Sequence, residues 1–157
     1  MVEHAFPGRR VLRVDAARDR QQDMHAELAS FMQGEGDILV GTQIVSKGLD
    51  SPNILFTAAL NADQHLQMPD FRAAEREFQL ITQLAGRSGR GGDAGCCVIQ
   101  TEEPEHYMIR HAIHHDYVSF FKEEALYRQQ FGYPPFTRLA RFIFSAIDEE
   151  DLRIRLK

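Results

Sequence analysis

Arg87 and Arg90 stand three residues apart in the run Gln83-Leu84-Ala85-Gly86-Arg87-Ser88-Gly89-Arg90. A guanidinium is always charged and holds five donors in a rigid fork. That suits a phosphoryl group whose negative charge spreads over its oxygens during transfer, where such a finger supplies a factor of about 10³–10⁵ in rate. Five glycines fall between positions 86 and 95, which keeps the segment bare and lets the arginines be aimed. Taken alone, the run fits a solvated basic loop equally well.

A second segment, Val40-Gly41-Thr42-Gln43-Ile44-Val45-Ser46-Lys47-Gly48-Leu49-Asp50-Ser51-Pro52, follows a short apolar run. Gly41 allows a ligand close to the backbone. Thr42 and Gln43 begin a helical turn whose amide groups suit a phosphate. Their side chains add neutral hydrogen bonds to a sugar-phosphate backbone. Lys47, Gly48 and Asp50 lie past the turn and can reach a second ligand. The competing reading is a plain strand–turn–helix connection with a solvated lysine.

These segments need elements to position them. Residues 10–14 read as a short strand, and 22–33 as an amphipathic helix with Met24, Leu28, Phe31 and Met32 on one face. The apolar run 38–40 and the run 54–60 read as strands; the second lacks alternation, as in sheets covered on both faces. Residues 71–84 form the longest helix, with Phe71, Ala74, Phe78, Ile81 and Ala85 in one stripe. A strand at 96–100 and helices at 105–115 and 117–131 follow. In the last helix Tyr117, Phe120, Phe121 and Leu126 share a side and read as core. Gly132-Tyr133-Pro134-Pro135 stops that helix and marks a boundary between residues 1–131 and 132–157. Beyond it, 139–146 reads as a strand and 148–157 as the start of a helix. Strands alternating with helices imply an α/β fold with a mainly parallel sheet and helices on both faces. Ligands of such sheets sit beyond the carboxyl ends of the strands, which directs attention to 41–52 and 61–70.

Composition bounds the chemistry. In 157 residues, 43% are hydrophobic and 26% charged, with a formal net charge of −5. The chain has no overall positive field for nucleic acid, so any such contact must be local and directional. No apolar run approaches the ~20 residues of a membrane helix, and the N-terminus lacks the basic and apolar regions of a signal peptide. A cytoplasmic protein is expected. Cys96 and Cys97 are adjacent, form no CxxC, and are expected to be buried free thiols in a strand. His111 and His115 share a helix face, but no metalloprotease pattern accompanies them and a solvated face is the better account. No metal ligand set is assigned. Asp70, Glu75 and Glu77, on or beside that helix, are expected to pair along it with Arg72 and Arg76, except that Asp70 and Arg72 could instead close a loop near the cleft.

In combination the segments resemble the superfamily 2 helicases, and among them the primosomal replication-restart helicases. Residues 38–54 look like motif V, through Gly41-Thr42-Gln43 and Lys47-Gly48-Leu49-Asp50. Residues 83–90 look like motif VI. Leu60-Asn61-Ala62-Asp63, Pro69-Asp70-Phe71-Arg72-Ala73-Ala74-Glu75-Arg76, Gln100-Thr101, Pro104-Glu105-His106 and Tyr133-Pro134-Pro135-Phe136 extend the match over roughly 10–146. The fold this implies is the second RecA-like helicase lobe at 1–131, with the beginning of a C-terminal α+β domain at 132–157.

The resemblance also implies roles. Arg90 would be the finger on the γ-phosphate of ATP, with Arg87 and Gln83 beside it. Gly48 and Asp50 would line the nucleotide cleft, and Gly41, Thr42 and Gln43 would touch single-stranded DNA. ATP and Mg²⁺ would be held mainly by a first lobe. The chain has no GxxxxGK[ST] loop and no acidic magnesium box. The family's zinc-binding cysteines would lie ahead of residue 1. A fragment inactive as an ATPase by itself is therefore expected, from a helicase acting on single-stranded and forked DNA in replication restart. Its implied partners are other primosome proteins and single-strand-binding protein. Ser51 stands where the family often has an aromatic residue, Ser88 where it has alanine, and Cys96-Cys97 where it has a Glu-Val-like pair. Two other readings stay open: a stand-alone nucleic-acid-binding lobe without ATPase, and another superfamily 2 translocase, against which residues 70–76 argue.

Overall fold

Short apolar runs and their glycine punctuation build two parallel ribbons. The computed structural model describes residues 2–15, 21–42, 51–89, 94–143 and 145. The elements are α1 (Val2–Ala5), β1 (Val11–Val14), α2 (Gln21–Met32), β2 (Ile38–Gly41), β3 (Phe56–Ala59), α3 (Ala73–Ala85), β4 (Cys96–Ile99), α4 (Tyr107–Ile113) and α5 (Tyr117–Gln130). All pairings are parallel. β1 runs beside β2 in the register Val11↔Ile38 to Val14↔Gly41. β3 runs beside β4 from Phe56↔Cys96 to Ala59↔Ile99. The α/β architecture with parallel strands is thus borne out. Among the described residues the strands form two pairs rather than one continuous sheet.

The first ribbon is set by its alternation. Leu12 and Val14 turn inward while Arg13 faces solvent, and α2 packs on β1. Met24, Leu28 and Phe31 are half-buried and Met32 is exposed. Gly34, in the left-handed region at φ 82, turns the chain out of α2 at no steric cost. At Gly36 a Cβ would lie 2.6 Å from the Leu12 side chain. The Asp37 carboxylate accepts from the Arg10 backbone amide at 2.8 Å and pairs with Arg9 at 3.3 Å. These contacts hold the entry to β2 against the entry to β1.

The second ribbon carries the main core. Ala59, Ala62, Phe78, Ile81, Met108, Ile109, Ala112 and Phe120 form one buried cluster. The α3 stripe lands as its spacing predicts, with Phe78 and Ile81 at its centre. Phe78 stacks on Phe120 at 4.3 Å between centroids. The sharp turn between α4 and α5 is closed by Asp116, whose carboxylate accepts from the Ser119 amide at 3.0 Å and caps α5. That hydrogen bond also holds the Asp116 carboxyl below its usual range.

Four expectations need correction. Phe121 is not core: it is 57% exposed while Phe120 is 2% exposed, because α5 meets α3 and α4 along a narrow line. Tyr117 and Leu126 are likewise exposed. Cys96 and Cys97 are free thiols but exposed and half-buried, respectively, since β4 has one strand neighbour among the described residues. The cover expected on both faces of 54–60 is met on one face there: Thr57 and Ala59 are buried, while Phe56 is 60% exposed. Residues 139–143 form no strand; no described strand pairs with them, and an extended run without ladder partners is not stable as sheet. The helix expected at 148–157 lies outside the described residues. No described helix is long and apolar enough to cross a membrane.

Candidate nucleotide and nucleic-acid site

The arginine strip begins on the last turn of α3. Gln83 is exposed there, and Arg87 and Ser88 are half-buried. The helix tightens as it ends: the Gly86 amide bonds Thr82 C=O at 3.1 Å, the Arg87 amide bonds Leu84 C=O at 3.1 Å, and the Ser88 hydroxyl donates to Ala85 C=O at 3.1 Å. Gly89 sits in the left-handed region at φ 78. Its amide donates to Ile54 C=O at 2.9 Å. This bond ties the strip to the chain just beyond the Gly41–Pro52 segment. At Ser51, itself 6% exposed, the hydroxyl accepts from the Asn53 amide at 3.3 Å.

Gly95 closes the loop against its own start. A Cβ there would sit 2.4 Å from the Ser88 carbonyl carbon and 2.5 Å from the Gly89 nitrogen. Backbone atoms cannot move aside cheaply, so Gly95→Ala is expected to cost about 1–3 kcal/mol and to displace residues 86–89. A thermal melt of the variant superimposing on the parent's would contradict this.

Gly41 and Thr42 are exposed at the carboxyl end of β2, the end where ligands of parallel sheets collect. Gln43, Gly48, Asp50 and Arg90 lie outside the described residues. The structure therefore places Gln83, Arg87 and Ser88 along one helix end, joined to the chain at 54 through the Gly89 amide. Gly41 and Thr42 stand on the other ribbon.

The loop after β3 carries a polar framework. Asn61 sits in the left-handed region at φ 52, which asparagine tolerates. Buried Asp63 accepts from the Thr101 hydroxyl and, at 2.6 Å, from the Glu102 amide; these bonds hold its carboxyl below the usual range. Glu77, 2% exposed, meets His65 Nδ1 at 2.7 Å, and burial pushes its carboxyl up. Asp70 takes the Arg72 amide at 3.0 Å, Arg72 Nε and an Arg72 terminal nitrogen at 3.1 Å, and an Arg76 terminal nitrogen at 2.9 Å. The Arg72 hydrogen bonds, with the charges of Arg72 and Arg76, lower its carboxyl to about 2.

A carboxylate lowered in this way stabilises the folded chain above its unfolded value near 3.8 and stops doing so as pH falls through about 2. Denaturant titrations of the parent and of Asp70→Asn should therefore differ at pH 5 and converge toward pH 2. A gap that stays constant over that range would show that Asp70 is not titrating against its arginines.

The pairing expected within α3 is corrected in part. Glu75 reaches Arg128 of α5 at 2.8 Å and Glu77 reaches His65, because the α3 carboxylates face neighbouring elements. Arg128 also bonds Glu124 at 2.7 Å and lies over the Phe71 ring at 5.2 Å. The Tyr107 hydroxyl donates to Glu124 at 2.5 Å, and burial pushes the phenol up. Phe71 stacks on Tyr133 at 5.6 Å. Sequence reasoning passed over Arg128, Glu124 and Tyr107; the one available signal was the four-residue spacing of Glu124 and Arg128. His111 is not simply solvated: its Nε2 meets Glu123 at 2.9 Å. Among the described residues no three His, Cys, Asp or Glu side chains are grouped to hold a metal.

Comparison with known proteins gives the family. The family described as the helicase conserved C-terminal domain matches residues 2–92. The replication restart protein PriA of Chlamydia muridarum is 45% identical over 145 residues, which is 92% of this chain and 19% of that protein. The Bacillus subtilis protein of the same name is 44% identical over 136 residues, 86% of this chain and 17% of that protein. That of Borreliella burgdorferi is 35% identical over 148 residues, 94% of this chain and 22% of that protein. The chain spans about a fifth of the length of these curated relatives. Through a match that runs from α1 into the loop carrying Arg87, the chain belongs to the helicase conserved C-terminal domain family.

Proposed function

We propose that this chain is the second motor lobe of an ATP-dependent DNA helicase acting in replication restart, at stalled forks where a primosome assembles. The observation that carries the reading is the junction of the two motif segments. The Gly89 amide is bonded to Ile54 C=O at 2.9 Å, so a shift of the strip pulls on the chain that leads back to Gly41. One lobe can then feel a nucleotide at one segment and a DNA strand at the other, and closure of two lobes around ATP becomes movement along DNA.

In this reading Arg90 stabilises the γ-phosphate during transfer, with Arg87 and Gln83 beside it. Gly48 and Asp50 line the nucleotide cleft. Gly41, Thr42 and Gln43 hold the phosphate backbone of single-stranded DNA. ATP and Mg²⁺ are held mainly by a first lobe, and a zinc site lies outside these residues. The lobe occupies 1–131, and 132–157 begins a C-terminal domain. Other primosome proteins and single-strand-binding protein are its partners, and the cytoplasm its compartment. The PriA names of the relatives support the replication-restart role.

The test is unwinding. The full-length protein that carries this chain should separate a forked DNA only when ATP is hydrolysed, and the isolated chain should show no DNA-stimulated ATPase. Steady turnover by the pure chain, or a full-length protein that never unwinds, would overturn the reading.

A further inference from the structure

We propose that the cavity between α3, α4 and α5 is a subsite for one unstacked base of single-stranded DNA, with Arg72 and Arg76 meeting the adjoining phosphate. The inference rests on the reading of the chain as a DNA-helicase lobe and extends it to residues outside both motif segments.

The cavity measures about 200 Å³, room for a single ring system. Its walls are aromatic on two sides. Phe71 and Tyr133 stack with an interplanar angle of 18° on one, and Tyr107 and Tyr127 lie 5.0 Å apart on the other. Tyr127 and Tyr133 remain 43% and 39% exposed, so ring surface is available at the mouth. Phe71 is covered by Tyr133 and Arg128 and Tyr107 by Tyr127 and Phe120, so the surface offered to a base is that of Tyr127 and Tyr133; every base has a π-face, so it accepts any base without reading its sequence.

Glu124 adds a polar edge to this cavity. Its two oxygens take one bond each, from Arg128 and from the Tyr107 hydroxyl. A carboxylate has about four acceptor positions, which leaves capacity for a base N–H. Asp70 plays a different part. It already accepts four N–H contacts, so it aims the two guanidiniums rather than touching the guest.

Arg72 and Arg76 are 51% and 55% exposed. Asp70 occupies two of the side-chain nitrogens of Arg72 and one of Arg76, and each guanidinium has five donors. Arg72 is also the N-cap of α3; its own side chain makes no cap bond, and Asp70 takes the Arg72 amide through its carboxylate and the Ala73 amide through its carbonyl, so an incoming phosphate meets the guanidiniums rather than the helix end. Three arginines face Asp70, Glu75 and Glu124 here, so the local charge balances. Affinity then comes from stacking and a single phosphate rather than a basic groove. The salt dependence of binding should be shallow, with a log–log slope near about −0.7 for one neutralised phosphate.

The 157-residue chain is tested with a short single-stranded DNA carrying one 5-iododeoxyuridine. Irradiation should place the adduct on Tyr127 or Tyr133. Tyr127→Leu should weaken binding about tenfold by removing one stacking wall, and Arg76→Gln about threefold with a flatter salt slope. Arg76 is at the surface, so its variant decides the matter if Tyr127→Leu fails to fold. Adducts confined to other residues, with Arg76→Gln binding like the parent, overturn the subsite and leave the lobe reading intact. A chain with no affinity for this DNA also overturns the subsite; the lobe reading is then judged by unwinding in the full-length protein.

Discussion

Replacing Arg90 by alanine in the full-length protein that carries this chain should lower ATP turnover by about 10³–10⁵-fold, with far less change in ATP affinity. The asymmetry follows from where the charge develops. Negative charge on the transferring phosphoryl oxygens is stabilised by a guanidinium most strongly in the transition state, and an interaction made chiefly there lowers kcat rather than ground-state binding. Arg90→Lys should recover little, because an ammonium lacks the planar fork. Steady-state ATPase and nucleotide binding to the same preparation separate the outcomes. Equal losses in both would mean that Arg90 only holds ATP, and the finger assignment would fall.

The second large effect is expected away from the strip. Arg128→Ala removes a guanidinium that bonds Glu124 at 2.7 Å and Glu75 at 2.8 Å. Its side chain is 14% exposed and that of Glu124 only 9%. Breaking such a pair leaves a buried carboxylate facing the Tyr107 hydroxyl alone, and costs about 3–5 kcal/mol. The contact over the Phe71 ring is lost as well. Neutralising both partners, as in Arg128→Met with Glu124→Gln, should cost much less, since no buried charge is then stranded. Urea denaturation of the two variants tests this. A single variant no less stable than the double would show that the pair is solvated in practice.

This network gives the 70–76 segment a structural account. Asp70 sits ahead of α3 and gathers Arg72 and Arg76, while Phe71 packs under Tyr133 and Arg128. The helix that carries Gln83 in its last turn is thereby pinned at its other end to α5 and to the turn at 132–136. Residues far from the strip in sequence decide how firmly its helix is held.

Much of this was legible beforehand, and the boundary has a physical cause. Element type follows from local periodicity, so α2, α3, α5 and the four described strands fall where apolar spacing and glycine punctuation put them. The α3 stripe of Phe78 and Ile81 was readable because a helix repeats over three or four residues, within the reach of the sequence pattern. Phe120 and Phe121 were not separable that way. Neighbours on a helix point about 100° apart, and which one is buried depends on the line along which α5 meets α3. The cysteines misled for a related reason: an apolar strand reads as buried wherever it stands, but β4 has one neighbouring strand among the described residues.

For the site, the sequence by itself determined which residue types could meet phosphate: Arg87 and Arg90 among glycines, and Gly41 and Thr42 after a strand. Spacing of a few residues suffices for that. Only the tertiary structure decided that the Gly89 amide bonds Ile54, that Glu77 is buried against His65, and that Arg128 joins Glu75 from 53 residues away. A polar side chain's partner depends on which elements pack together, and no local period of the chain encodes that.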